Sequence, residues 1–371
     1  MTTRTDRLVD SIRRLVETES PTSDLDACAR VCELAATIAG EWLPSAARIE
    51  THEGRPVVRW GVDQPSVLLL GHIDTVWPLG TLDRLPWSCD GERMTGPGVF
   101  DMKTGAVIAI AALAELGAQA DDGVGLLLTT DEEFDSARSR ALIAHASAQA
   151  DAVLVFEAAL GPALKIARKG TSMYDVTFHG RAAHAGLDPE RGINAMLEAA
   201  ALASACATWG DVERGTTVVP TVLHAGTTTN TVPAEAVLSI DARAWTRAEQ
   251  ERVDALVRAW TPTAGTMTIV GGIERPAMER RMSAGLLRIA QDVAAELGLG
   301  PLETAEVGGA SDGNLTAAAG IATIDGLGAV GDGAHADHEW ASVAALERHV
   351  LLTAGMVRAI RVEPTRAMPS A

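Results

Sequence analysis

Acids and imidazoles recur in this sequence just past apolar, strand-like runs: His72 and Asp74 in LLLGHIDTV, Asp101 in GPGVFDMKTG, Glu132 and Glu133 in LLLTTDEE, Glu157 in VLVFEA, and His335 in GDGAHADHE. Each falls where a buried parallel strand would end, and open α/β sheets bind ligands there. Charges set against apolar runs need partners, and imidazoles together with several carboxylates most simply share metal ions. The pattern predicts a two-metal hydrolytic centre.

His72 and Asp74 lie two apart at a strand end, so both can point the same way. One can ligate while the other orients the imidazole through its second nitrogen, which makes Asp74 a support for His72. Taken alone, a His-x-Asp pair also suits a core histidine capped by an aspartate. Asp101 follows a loop able to bring backbone close to an ion, and its two oxygens could bridge a metal pair about 3.5–4 Å apart. By itself it would serve equally as the N-cap of the Ala-rich helix that comes next. Asp131, Glu132 and Glu133 are consecutive acids whose charges would repel without a cation. Neighbouring residues at a strand end point apart, so Glu133 is read as a metal ligand and Glu132 as the general base. His335 lies deeper in its glycine-rich loop than Asp337 or His338 and is preferred over both. Gly326, Gly328 and Gly331 fit GxGxxG, but no helix opens there, which argues against a dinucleotide site.

The elements that must hold these residues alternate. Leu8, Ile12 and Leu15 repeat at helical spacing, as do Leu25, Cys28, Cys32 and Ala35. SVLLL, TGAVIAIAALAEL, GVGLLLTT, SRALIAHASAQ and DAVLVF then alternate strand with helix, and strands apolar on both faces imply a mostly parallel sheet flanked by helices. From about Thr171 the pattern changes. Tyr174, Val176 and Phe178 alternate with polar residues, and a helix through Ile193, Met196, Leu197 and Ala200 follows. TTVVPTVLH, EAVLSIDAR, a helix through Val253 and Val257, and TMTIV then give the order β-α-β-β-α-β, a ferredoxin-like α+β insertion. The expected division is a discontinuous catalytic domain, 1–170 and 276–371, with a separate inserted domain, 171–275. A last helix is expected over 341–362, and a frayed tail, EPTRAMPSA.

With 371 residues, 47% of them hydrophobic, the chain can bury a large interior, and its length favours two domains. A formal net charge of -18 would repel phosphate, so nucleic acid is not expected as a partner. Four cysteines without a CxxC pair, the absence of a secretory h-region and of any run of transmembrane length make the cytoplasm the expected location and a membrane an unexpected partner.

The motifs GHIDTVWPLGTL, GPGVFDMKTG, TTDEEFDS, VLVFEA, RKG, GRAAHAG, TNTVP, SIDAR, GGASDGN and GAHADHE resemble, in order, those of a zinc metallopeptidase family. That family contains glutamate carboxypeptidases, acetylornithine deacetylase, succinyl-diaminopimelate desuccinylase and aminoacylases, and the likeness is greatest to the glutamate carboxypeptidase branch. The resemblance implies one zinc on His72, Asp101 and Glu157 and a second on Asp101, Glu133 and His335, with Asp101 bridging. It implies Asp74 behind His72, Glu132 as base and proton shuttle, and His184 reaching a partner subunit's active site in a homodimer. It also implies that the insertion, 171–275, is a lid and dimerisation domain with hinges near Gly170 and Pro276. It further implies substrate binding by Asn230, Arg243 and the GGASDGN loop, including Gly309 and Ser311. Met102 and Lys103 follow the bridging aspartate, where other members vary.

The expected reaction is hydrolysis of an amide joining an acyl group to an amino acid with a free carboxylate. An N-acyl amino acid deacylase releasing acetate or succinate is the alternative, and a metal-stabilised binding protein without turnover is a third reading, disfavoured by a spare acid beside a ligand. Two zinc ions per subunit are expected, although cobalt or manganese suit N/O sites of this kind.

Overall fold

Leucine- and valine-rich runs become strands that are covered on both faces. Val67–His72, Val124–Thr129 and Ala152–Val155 are buried at every position, and each leucine or valine among them removed from water contributes about 1.5–3 kcal/mol. The computed structural model describes residues 3–117 and 123–364; the end of the expected frayed tail, 365–371, lies outside the described residues. The chain forms two compact units, Met1–Ala167 with Arg280–Glu306 and Ser311–Ala371, and Arg168–Glu279 with Val307–Ala310.

In the first unit six strands lie in the order Arg48–His52, Arg55–Gly61, Val124–Thr129, Val67–His72, Ala152–Val155, Ala322–Ile324. The last four run parallel, and the first two form an antiparallel margin that hydrophobic patterning did not reveal. His72 lies opposite Thr129 and Leu70 opposite Val155, so three strands release their chains at one edge. Helices Arg4–Val16, Leu25–Trp42, Thr104–Leu116, Arg280–Glu296 and Leu346–Val362 share the core on one face. Arg140–Ser147 covers the other through Leu142, Ile143 and Ala146. In the second opening helix Leu25 is 48% exposed, because the buried stripe begins at Ala27 and Cys28 after the Asp24 cap.

A small four-stranded sheet of the same unit joins Gly331–Asp332, Trp340–Ser342, Arg93–Thr95 and Ser88–Cys89. It takes the start of the stretch that patterning assigned to the last helix, which opens only at Leu346. Trp340 pairs with Thr95 and Gly331 with Ala341, which seats residues 333–339 beside the loop that carries Asp101.

The second unit has an antiparallel sheet ordered Thr217–Ala225, Glu235–Ala244, Gly170–His179, Thr266–Arg275, with helices Ala195–Cys206 and Arg247–Ala259 in the β-α-β-β-α-β order expected. Tyr174, Val176 and Phe178 face those helices. The first of these helices starts later than its pattern suggested, because Asn194 caps it, accepting from Met196 N and Leu197 N. Its buried face is Ala195, Ala199, Leu202 and Cys206, whereas Met196 and Leu197 are exposed, since small residues let the helix lie close on the sheet. Among the described residues no helix is long and apolar enough to cross a membrane.

Candidate metal centre

The first unit's sheet edge gathers the acids and imidazoles. His72 ends its strand 1% exposed, and its Nδ1 lies 3.3 Å from Asp74 Oδ1 and 3.2 Å from the Asp74 carbonyl oxygen. With a proton on Nδ1 directed at Asp74, the lone pair on Nε2 points the other way. There it meets Asp101 Oδ1 at 3.4 Å and Glu157 Oε1 at 3.5 Å. His335 Nε2 lies 3.4 Å from Asp101 Oδ2 and 3.1 Å from Glu133 Oε2. The two oxygens of Asp101 therefore face two different imidazoles, each flanked by a further carboxylate.

Local chain chemistry explains these placements. Asp101 follows Gly98, whose left-handed conformation (φ 75°) turns the chain out of its loop, and the Asp101–Met102 peptide is cis. His335 is itself left-handed (φ 61°) after Gly333 (φ 85°). Gly328 serves Glu157 rather than a dinucleotide. A Cβ there would stand 2.1 Å from the Phe156 carbonyl oxygen, and its amide donates to Glu157 O at 2.9 Å.

Glu132 and Glu133 do not alternate along a strand, as their sequence position suggested. They share a 3-10 turn, Glu132–Phe134, whose amides approach Asp74 Oδ1 and Oδ2 at 3.4 and 3.3 Å. A carboxylate oxygen of Glu132 falls within 4.8 Å of ligand atoms of His72 and Glu157, so both glutamates reach the cluster. Asp131, the first of the three acids, turns away and caps the next segment, accepting from Arg138 N, Ser139 N and the Ser139 hydroxyl.

These groups fit metal ions. His72 Nε2, Asp101 Oδ1 and Glu133 Oε1 are buried without a hydrogen-bond partner among the described residues. Three of the donor separations, 3.4, 3.5 and 3.4 Å, match the edges, about 3.3–3.6 Å, of a tetrahedron with bonds of about 2.0–2.2 Å, and the His335–Glu133 pair at 3.1 Å is slightly shorter. Protons answer the same charge when no cation does. Burial pulls the His72 imidazole down, but Asp101, Asp74 and Glu157 outweigh it and raise its pKa well above the usual range. Asp101 and Glu133 push His335 up to about 10. Burial also raises Asp101, yet the two imidazoles win and hold its carboxyl below the ordinary range, whereas burial dominates at Glu133 and raises it.

The competing residues have other surroundings. Asp337 is exposed and pairs with Arg84 at 2.8 Å, and His338 is exposed. In the second unit, the exposed His184 pairs in a β-bridge with Thr231, and Ala185 N donates to Asn230 O at 2.9 Å, so the motifs GRAAHAG and TNTVP adjoin. Arg243 grips Asp241 through Nε (3.0 Å) and Nη2 (2.9 Å) and donates to Gly308 O at 3.3 Å, while Arg168 donates to Gly309 O at 2.9 Å. Ser311 is wholly buried, its hydroxyl donating to Asp325 and accepting from Gly313 N as a helix cap.

Patterning missed several supporting residues. Thr22 donates to Asp74 Oδ2 at 2.7 Å, and Met102 Sδ accepts from His72 N at 3.3 Å. Lys103 is buried and donates to Thr18 O at 2.8 Å; burial draws its ammonium down to about 8 against the carboxylates of Glu339, Glu19 and Asp74. Glu339 accepts four donors around the Asp101 loop. Its only sequence signal is its place four residues after His335.

A mostly parallel sheet that brings two triads together around one shared carboxylate defines a metallohydrolase with a candidate two-metal site. Residues 68–359 match the family model described as peptidase family M20/M25/M40. The chain is 33% identical to carboxypeptidase G2 of Pseudomonas sp. (strain RS-16) over 311 residues, 79% of this chain and 73% of that protein. Among solved structures it resembles aminopeptidase PepT of Bacillus cereus (21% identity, TM-score 0.74, covering 97% of this chain and 100% of that one). A dinuclear metal binding peptidase of the M20 family from Bacillus subtilis is also similar (15% identity, TM-score 0.65, 96% and 98% covered). The chain belongs to the M20/M25/M40 peptidase family and is a carboxypeptidase-like hydrolase of the metallopeptidase kind.

Proposed function

We propose that this chain hydrolyses the amide bond of N-acyl amino acids or peptides that carry a free C-terminal carboxylate, using two zinc ions per subunit. The observation that carries the reading is Asp101, with Oδ1 against His72 and Oδ2 against His335. His72, Asp101 and Glu157 would hold one ion and Asp101, Glu133 and His335 the other. Cations there would acidify water and polarise the scissile carbonyl.

Glu132 takes the proton that the attacking water loses and passes it to the amine nitrogen as the C–N bond breaks, leaving a carboxylate and a free amine. Asp74 fixes the His72 tautomer and, through the amides of Glu132 and Glu133, the turn bearing the base. His184 Nδ1 accepts from Gly186 N at 3.1 Å, which puts the neutral ring's proton on Nε2. That proton suits donation to a developing oxyanion, and we assign it to the active site of a second copy in a homodimer. Exposed Leu187, Met196 and Leu197 in the same unit favour such a contact. Arg243, pre-oriented by Asp241, and Asn230 are assigned to the substrate's carboxylate and carbonyl, with the Gly309 turn. Relatedness to a carboxypeptidase favours this bond over the acyl groups of a deacylase.

The test is hydrolysis of a pooled panel of N-acyl glutamates, dipeptides and N-acetyl or N-succinyl amino acids by zinc-loaded protein, read by mass spectrometry. Glu132→Ala is expected to keep its metal and lose about 10²–10⁴ in turnover, whereas Glu133→Ala and His335→Ala lose metal as well. Full activity in Glu132→Ala removes it as the base, and release only of acetate or succinate favours the deacylase.

A further inference from the structure

We propose that Glu339 is a positioning residue that sets the carboxylate of Asp101 against His335; the inference rests on reading Asp101 as the shared ligand. Glu339 is 4% exposed and receives four donors. Oε1 accepts from Phe100 N (2.8 Å) and Asp101 N (3.0 Å), and Oε2 from Gly98 N (2.9 Å) and Trp77 Nε1 (3.0 Å). Three amides of one short loop converge on a single buried anion, which closes that loop as a backbone nest. The amide of Asp101 itself is one of them, so the ligand's backbone is held at its own nitrogen.

The other end of the tie is the loop carrying His335. Glu339 N donates to Ala336 O and Ala336 N to Gly333 O, both at 2.9 Å, so residues 333–339 form a closed turn. Glu339 thereby joins two loops more than 230 positions apart in sequence, each bearing one ligand of the same triad. Its oxygens point at donors and not at the cluster, so it acts through Asp101. Burying a carboxylate is costly, and a glutamine of the same shape offers one acceptor oxygen where this site uses two.

The experiment uses the full chain, stripped with chelator and titrated with Co2+, following visible absorption and binding heat, with circular dichroism and thermal unfolding of the stripped proteins alongside. In Glu339→Gln the amide NH2 must face either the Phe100 and Asp101 amides or Gly98 and Trp77. The expected result is a loss of about 10–100-fold in affinity at the site containing His335, a smaller loss at the other, and an altered cobalt spectrum. Two cobalt ions bound with wild-type affinity and spectrum overturn the proposal, even if the variant melts lower, since that is the signature of a structural role alone. Should Glu339→Gln fail to fold, Trp77→Phe, which removes one donor, carries the test: a weakening of about two- to fivefold is expected, and unchanged affinity overturns it. Wild-type protein that takes up no second cobalt ion instead overturns Asp101 as the shared ligand, a separate failure.

Discussion

Replacing Asp74 by asparagine perturbs the cluster without touching a proposed ligand. The wholly buried carboxylate faces His72 Nδ1 at 3.3 Å and the Glu132 amide at 3.4 Å through Oδ1, and the Thr22 hydroxyl at 2.7 Å and the Glu133 amide at 3.3 Å through Oδ2. Asparagine is nearly the same shape but has one oxygen and no charge. Its NH2 at Oδ1 would confront the imidazole N–H and the Glu132 amide, so it goes to the Thr22 side, where the hydroxyl can rotate to accept and only the Glu133 amide loses its acceptor. His72 then keeps a hydrogen bond but loses the charge behind it. A bond to a charged group is worth about 1.5–3 kcal/mol and a neutral one about 0.5–1.5, so roughly 1–2 kcal/mol of support is lost. That corresponds to about 10-fold or somewhat more in cation affinity, within the range of about 10–100-fold for groups behind a metal-bound histidine. Competition between the stripped protein and a chromogenic chelator for zinc measures it. An Asp74→Asn variant with wild-type zinc affinity refutes the idea that Asp74 prepares His72 for a cation.

Other perturbations reach different parts of the molecule. Gly328→Ala places a methyl 2.1 Å from Phe156 O and 2.8 Å from Glu157 O; overpacking of about 1–3 kcal/mol should appear as a lower melting temperature and weaker metal binding, and an unchanged melt contradicts it. Glu249, whose pKa Arg252 leads in lowering to about 2 with help from Arg214 and Thr216 against burial, stabilises the second unit above its ordinary pKa near 4.5, and that support disappears as pH falls toward 2. Glu249→Gln should therefore cost about 1–2 kcal/mol at neutral pH after screening and almost nothing near pH 2, as read by thermal unfolding across pH. If His184 acts across a dimer, mixing inactive His184→Ala and Glu132→Ala proteins should restore about a quarter of the wild-type activity, because half of the randomly paired dimers hold one complete site. Mixtures that stay inactive after subunit exchange refute that assignment.

Some of this is legible in the sequence alone. His72, Asp74 and Glu157 stand out because uninterrupted apolar runs define strands buried on both faces, and a charge at the end of such a run must lie at the sheet's edge. His335 is separable from His338 by its glycine-rich loop, and its left-handed backbone gives the reason. Glu339 is not legible, since its partners are amides of a distant loop and the two- and three-residue strands that align the loops are too short for any periodicity. Met196 and Leu197 mislead because apolar residues at helical spacing imply burial only where the helix stands off its sheet. Here Ala195, Ala199, Leu202 and Cys206 make the contact. Ser311 is singled out only through the resemblance of the GGASDGN loop, since nothing in its pattern marks the helix cap that its hydroxyl forms, accepting from Gly313 N and donating to Asp325.

The order of construction explains why the cluster can exist at all. Carboxylates converging within 3.1–3.5 Å of a buried imidazole, His72, and a half-exposed one, His335, repel one another, and no local propensity would assemble them. The cost is met by strands whose leucines and valines are buried whichever residues succeed them, so the sheet fixes His72, Glu157 and the Glu132–Glu133 turn together at one edge. Asp101 and His335 arrive on loops, which the sheet alone cannot fix. Both loops are tied by groups that receive or give hydrogen bonds to backbone, and the tie runs through Glu339. The site is therefore rigid on one side by burial and on the other by hydrogen bonding, which is the preorganisation a shared carboxylate needs to face two cations at once.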